Sequence, residues 1–238
     1  MLKIALLGYG KMGKEIEQIC LHRNHEVVLK IGKANLADLT IENLKKADVA
    51  IEFSTPDTAF TNIQLCFEAS IPVVVGTTGW LDKLDYCVEQ CKTKQKGLFY
   101  ASNFSVGVNI FFEINKKLAK LMAKYPDYSV VMEEIHHTQK LDAPSGTAIT
   151  LAEGIIEAYP QKKWVNQASN LSNELPIISK REGLVPGTHN ITYSSPIDEI
   201  FIQHTAHNRK GFAMGSVLAA EFMVGKNGYF GMSDLMGL

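Results

Sequence analysis

The sequence predicts an α/β fold in two parts: a doubly wound parallel sheet, and a second α+β domain with an open mixed sheet. Three observations predict it. Over the first hundred residues, short apolar runs alternate with amphipathic stretches. The turn between the first run and the first amphipathic stretch is glycine-rich. Beyond Val108, apolar and polar residues alternate within the extended segments. Continuous apolar runs suit parallel strands buried on both faces under crossover helices, whereas alternation suits strands with one wet face.

In chain order, "KIALLG" from Lys3, "EVVLKIG" from Glu26, "ADVAIEF" from Ala47, "IPVVVGT" from Ile71 and "GLFYAS" from Gly97 are the predicted parallel strands. Helix-forming, charged stretches follow the first, third and fourth of them. The stretch "NIFFEINKKLAKLMAKYP" is a long amphipathic helix that ends by Pro126. "YSVVMEEIHH", "LPIISKREG", "HNITYSS" and "EIFIQHTAH" then read as strands of an open sheet, with a polar loop over 160–175. After Arg209, "FAMGSVLAAEFMVG" returns to helix and is expected to pack on the first domain. The predicted boundaries are 1–107 with 209–238 for the first domain and 108–208 for the second.

Composition narrows the function classes. A chain of 238 residues, 46% hydrophobic and 21% charged, can bury a sizeable core and shows none of the depletion of disorder. A formal charge of −1 with no clustered Lys/Arg stripe excludes a nucleic-acid footprint. Cys20, Cys66, Cys87 and Cys91 form no CxxC pair and read as free thiols of a reducing compartment. No apolar run approaches the roughly 18 residues of a membrane span, and "MLKIALLGYG" lacks a cleavage site, so a cytoplasmic protein without membrane contact is expected.

The first chemical motif is "GYGKMG", in which Gly8, Gly10 and Gly13 follow a strand and open a helix, with Lys11 and Met12 at the helix start. Glycines permit the tight turn and let backbone N–H groups approach a pyrophosphate, whose charge the helix N-terminus favours. This makes the first domain Rossmann-type. An acidic residue at the end of the second strand commonly binds the adenosine ribose hydroxyls; here Lys33 stands in that place, with Lys30 nearby. Lys33 is either a partner for a 2′-phosphate or a solvated loop residue, so the expected cofactor is NADPH and/or NADH. Loops at successive strand ends add "FSTPDTA", "GTTGW" with Gly76, Thr77 and Thr78, and "ASNFSVGVN" with Ala101, Asn103 and Phe104. In an open α/β sheet, these strand C-termini line the ligand crevice.

The densest chemistry lies in "EEIHHTQKLDAPSGTA", residues 133–148. On a strand His136 and His137 would point to opposite faces, unless the strand ends there. Lys140 follows, and Pro144 and Gly146 bend the chain before a helix begins. Ser145, Gly146 and Thr147 thus bring hydroxyls and backbone N–H groups to a helix N-terminus, a cradle for a carboxylate. Imidazole and ammonium beside such a cradle describe a site for a small anionic substrate. A metal site on His136, His137 and Glu133 or Glu134 lacks HExxH-like spacing, and none is expected.

With these residues in place, the chain resembles the dihydrodipicolinate reductases of bacterial lysine and diaminopimelate synthesis. The likeness runs through "GYGKMG", "GTTG", "ASNFSVGVN" and "HHTQKLDAPSGTA" and covers nearly the full length. It implies NAD(P)H-dependent reduction of a cyclic imine dicarboxylate. His136 and Lys140 would be the catalytic pair, His137 would bind substrate, and Gly146 and Thr147 would grip a substrate carboxylate. It also implies a homotetramer built through the second domain's sheet, and a hinge. Asp142 and Glu134 are the carboxylates available to orient the cations. The sequence departs from the family pattern in lacking the acid after the second strand. It also departs in the short stretch between Ser195 and Asp198, where many members insert a segment with Gly-Glu-His; a smaller sheet and altered tetramer contacts are expected there. The glycine loop alone would equally suit another two-domain NAD(P)-dependent dehydrogenase acting on an amino or keto acid, which would not need the 136–148 block.

Overall fold

The computed structural model describes residues 1–208 and 210–238. The chain forms two compact units, Met1–Val106 with Lys210–Leu238, and Gly107–Arg209.

In the first unit, β1 (Lys3–Leu7), β2 (Glu26–Ile31), β3 (Val49–Glu52), β4 (Val73–Val75), β5 (Gly97–Tyr100) and β11 (Gly228–Phe230) form one sheet in the order β11-β5-β4-β3-β1-β2. Every pairing is parallel. The chain leaves β1 for β2 on one side and returns to β3 on the other, so the switch point and its crevice lie at the C-termini of β1 and β3.

The apolar runs are continuous because both faces are covered. Ala5, Leu7, Ala50, Val73 and Val75 meet residues of α2 (Ile41–Leu44), α3 (Pro56–Ala69) and α4 (Leu84–Thr93) in one core. Ile4, Leu6, Ile51, Val74 and Phe99 meet α1 (Lys11–His22) and α7 (Lys210–Met223) in a second. Successive residues of a strand point to opposite faces, so each run feeds both cores. Strand β11 and the short α8 (Met232–Met236) were not expected from the sequence. A three-residue strand carries too little periodicity to read.

The second unit opens with α5 (Val106–Met122). It continues with β6 (Ser129–His136), α6 (Gly146–Ile156), β7 (Lys163–Val165), β8 (Glu174–Arg181), β9 (Gly187–Ser194) and β10 (Glu199–Ala206). The sheet order is β10-β9-β6-β8-β7. Parallel β6–β8 and β7–β8 pairs sit beside antiparallel β6–β9 and β9–β10 pairs, which makes the sheet mixed. Phe111 and Ala119 of α5 and Leu151 and Ile155 of α6 pack on Val130, Met132, Ile177, Ile191 and Tyr193. The opposite face carries Val131 and Phe201, 39% and 51% exposed.

One expectation needs correction here: the polar loop over 160–175 contains β7. In the short segment before the last strand, Ser195 and Asp198 close a tight hairpin (Ser195 N to Asp198 O, 3.0 Å). Strands β9 and β10 then pair over their full lengths, from Ser194↔Glu199 to Gly187↔Ala206.

Candidate active site

Strand β6 supplies the centre of the second unit's site. Its inward-facing residues run Val130, Met132, Glu134, His136, so the apolar face that builds the core becomes polar at the strand's C-terminal end. Glu134 is fully buried and His136 is 7% exposed. His136 Nδ1 lies 2.6 Å from Glu134 Oε2, a close charge contact off the in-line hydrogen-bond direction. The other carboxylate oxygen, Oε1, accepts from Arg181 Nη2 at 3.0 Å and from the Ser145 backbone N–H at 3.3 Å. Burial alone would raise the Glu134 carboxyl, but contacts with His136, Ser179, Ser145 and Arg181 outweigh it and hold the group ionised, well below the usual carboxylate range.

The strand ends at His136, and this resolves the facing of the two histidines. His136 is its last residue, while half-buried His137 lies on the following turn, its carbonyl accepting from the Lys140 N–H at 3.0 Å. Lys140 Nζ sits 2.8 Å from Asp142 Oδ1. That ammonium is the main cause of the lowered Asp142 carboxyl. Glu134 is thus the partner of His136, and Asp142 that of Lys140. Arg181, at the end of β8 and in register with His136, ties the turn to the sheet. Its Nη2 donates to the Asp142 carbonyl at 2.6 Å and its Nε to the Lys140 carbonyl at 3.3 Å.

Buried Ser145 caps α6 by accepting from the Ala148 N–H at 3.2 Å. Gly146 and Thr147 lead the first turn, where helical N–H groups point out of the helix. No atom lies within 4 Å of where a Gly146 side chain would begin, so the backbone there is open to approach.

Sequence reasoning missed Arg181 and His189. His189, on β9, is 5% exposed, its Nε2 3.2 Å from Ser145 Oγ and its ring 5.2 Å from that of His136, edge-on. Burial, reinforced by His136, pushes its pKa down to about 3, so the ring is neutral at physiological pH. Gly187 precedes it, and a side chain there would start 3.0 Å from His136 Nε2. No local motif marks either residue; both arrive because β8 and β9 flank β6.

The first unit presents a second set of residues. Gly8, at φ +98°, lets β1 end against β3: a Cβ there would lie 2.0 Å from the Phe53 carbonyl oxygen. Gly13 is closed in by the Gly8 carbonyl at 2.7 Å, whereas nothing lies within 4 Å of a Cβ at Gly10, the residue before α1. The result is an open backbone cradle at a helix N-terminus, with Lys11 and Met12 as the first helical residues, and it fits the phosphates of a dinucleotide. Lys33 is exposed in the loop after β2, while Lys30 is engaged with Glu17 at 3.1 Å. Asn35 holds that loop, its Oδ1 accepting from the Gly32 N–H at 2.9 Å.

The remaining strand ends are tied together. Buried Thr77 accepts from the Ser54 N–H at 2.8 Å and its carbonyl from Trp80 Nε1 at 2.8 Å, with exposed Thr78 beyond. A side chain at Gly76 would strike the Phe53 ring at 2.2 Å. The Phe53 ring lies 5.6 Å from that of buried Phe104, Asn103 Oδ1 accepts from the Ser105 N–H at 2.9 Å, and Ala101 N–H reaches the Val75 carbonyl at 3.4 Å. Beneath them Glu52, fully buried and raised by that burial, accepts from Asn62 Nδ2 at 3.2 Å and from the Ser54 hydroxyl.

Comparison with known proteins gives a consistent result. Residues 2–104 match the family description "Dihydrodipicolinate reductase, N-terminus" and residues 107–236 "Dihydrodipicolinate reductase, C-terminus". The chain is 52% identical to the 4-hydroxy-tetrahydrodipicolinate reductase of Christiangramia forsetii, covering 99% of this chain and 98% of the relative. It is 33% identical to that of Methanosarcina mazei, covering 100% and 90%. Among solved structures it is similar to the dipicolinate-bound dihydrodipicolinate reductase of Paenisporosarcina sp., with a TM-score of 0.79, 28% identity and 98% of each chain covered. Two family descriptions that between them span nearly every residue, and a whole-length relative sharing half its sequence, place the chain in the dihydrodipicolinate reductase family.

Proposed function

We propose that this chain reduces dehydrated 4-hydroxy-tetrahydrodipicolinate, a cyclic imine dicarboxylate, to tetrahydrodipicolinate in lysine and diaminopimelate synthesis. His136 would act as proton donor, and Lys140 would stabilise developing charge. The observation that carries the reading is the buried Glu134–His136 pair at 2.6 Å beside the open N-terminus of α6. A bound reduced nicotinamide dinucleotide would supply the hydride. The first unit would hold it at Gly8, Gly10, Lys11, Met12 and Gly13, and Gly76, Thr77, Thr78, Ala101, Asn103 and Phe104 would receive its nicotinamide. Exposed Lys33, with no acid in its place, favours acceptance of NADPH beside NADH.

In the second unit, Glu134 lies against the His136 ring at 2.6 Å and would fix its orientation toward the substrate. Arg181 holds the turn that carries Lys140. Ser145, Gly146 and Thr147 receive one substrate carboxylate, and His137 contacts the substrate from the strand end. The exposed sheet face around Val131 and Phe201 is the surface on which the implied homotetramer would assemble, in the cytoplasm.

The test is steady-state kinetics on enzymatically generated substrate. His136→Ala and Lys140→Ala should each lower turnover by roughly 10²–10⁴-fold with NADPH affinity little changed. Near-normal turnover in His136→Ala would remove the proton-donor assignment.

A further inference from the structure

The geometry points to a second capacity of the buried cluster: we propose that Glu134, His136 and His189 bind a divalent transition-metal ion of the zinc class, and that the bound ion silences the enzyme. The silencing rests on the role given to His136 above, whereas the binding does not.

One donor atom from each residue lies within 4.8 Å of those of the other two, and all three residues are buried. Glu134 Oε2 and His136 Nδ1, 2.6 Å apart, have no in-line hydrogen bond, nor has His189 Nδ1, while His189 Nε2 lies 3.2 Å from Ser145 Oγ. Two imidazoles and a carboxylate, with a fourth position for water, are the donor set of open zinc sites. Ligand atoms on tetrahedral zinc stand about 3.3 Å apart at bond lengths of about 2.0–2.1 Å, so small side-chain rotations would close the cluster on an ion.

The His136–Glu134 contact at 2.6 Å is what the ion must replace, and its entry displaces any proton on the ligand atoms to solvent. The Arg181 guanidinium, on Glu134 Oε1 at 3.0 Å, adds positive charge beside the cluster and opposes the ion. The site is therefore an inhibitory one that fills when metal is raised, not the seat of a resident ion. Strand pairing, not local spacing, assembles it, since His189 comes from β9.

Cobalt(II) is the probe. Titrating the full chain with Co²⁺ should give visible d–d absorption that saturates at one ion per chain and is abolished by excess Zn²⁺. His189→Asn and Glu134→Gln should each weaken Co²⁺ binding by at least about tenfold, because even outer partners of a metal site are worth 10–100-fold in affinity. Thermal melting identifies a variant that has failed to fold, and the other then decides. No d–d absorption, or an affinity that the variants leave unchanged, overturns the site. Zn²⁺ should inhibit turnover in step with occupancy. An occupied cluster with full turnover would sustain the site while overturning both the silencing and the role of His136.

Discussion

Replacing Glu134 with Gln tests how the carboxylate acts, because the structure separates its two oxygens. Oε1 takes the Arg181 and Ser145 donors, and a glutamine oxygen in the same place keeps both. Oε2 faces His136 Nδ1 at 2.6 Å, and there the variant presents a neutral amide nitrogen in place of a carboxylate oxygen. The loss at His136 is one charge-assisted contact, about 1.5–3 kcal/mol, while Arg181 keeps its acceptor but not the opposite charge. At about 1.4 kcal/mol per factor of ten, turnover should fall roughly 10- to 150-fold if that contact is retained in the transition state. The assay is kcat from loss of reduced-nicotinamide absorbance, with thermal melting as the control for folding. If the carboxylate acts through His136, adding Glu134→Gln to His136→Ala should cost little more than His136→Ala alone. Unchanged kcat in the single variant, or an independent further loss in the double variant, would refute the assignment.

Lys33→Asp should raise the Michaelis constant for NADPH and spare that for NADH; equal effects on both would leave Lys33 a solvated loop residue. Thr147→Val should raise the substrate Michaelis constant more than it lowers kcat, because a carboxylate is held in ground and transition states alike. Its failure would show as a kcat effect alone. His189 is kept neutral in the fold down to about pH 3, whereas in the unfolded chain it takes up a proton near 6.5. Its share of stability is thus complete above about pH 6.5 and is lost as pH falls toward 3, at up to about 1.4 kcal/mol per pH unit. His189→Asn should make the unfolding free energy, measured by denaturant titration, about 1.7 kcal/mol less sensitive to a change from pH 6.5 to 5, and identical pH profiles would count against a buried neutral ring.

What could be read from the sequence follows from how far each signal reaches along the chain. The strand–Gly8-x-Gly10-x-x-Gly13–helix unit is local, so its position was legible, as was the helix N-terminus at Ser145, Gly146 and Thr147. The apolar runs of β1, β3, β4 and β5 announced strands because burial on both faces leaves few polar positions to blur them, and edge strand β2 was legible despite its exposed Glu26 and Lys30. Arg181 and His189 were invisible for the opposite reason. Each meets Glu134 or Ser145 through lateral strand order, and β10-β9-β6-β8-β7 is a tertiary arrangement that no periodicity encodes. The same holds for the division of Glu134 to His136 and Asp142 to Lys140. Both carboxylates are close in sequence to both cations, and only the end of β6 at His136 separates them.

The alternation along β6 makes length itself a heritable constraint. Met132, Glu134 and His136 share one face by steps of two, with Val131, Glu133 and Ile135 on the other. A single-codon deletion upstream of Glu134 within the strand would slip the register by one and turn the buried pair toward the wet face, while sending the residues between them into the core. A two-codon change would keep the facing but move His136 about 7 Å along the strand, away from Arg181 and His189. Lineages of this enzyme should therefore vary in the turns that follow β6 and β8 far more readily than in the count of residues between Ser129 and His136.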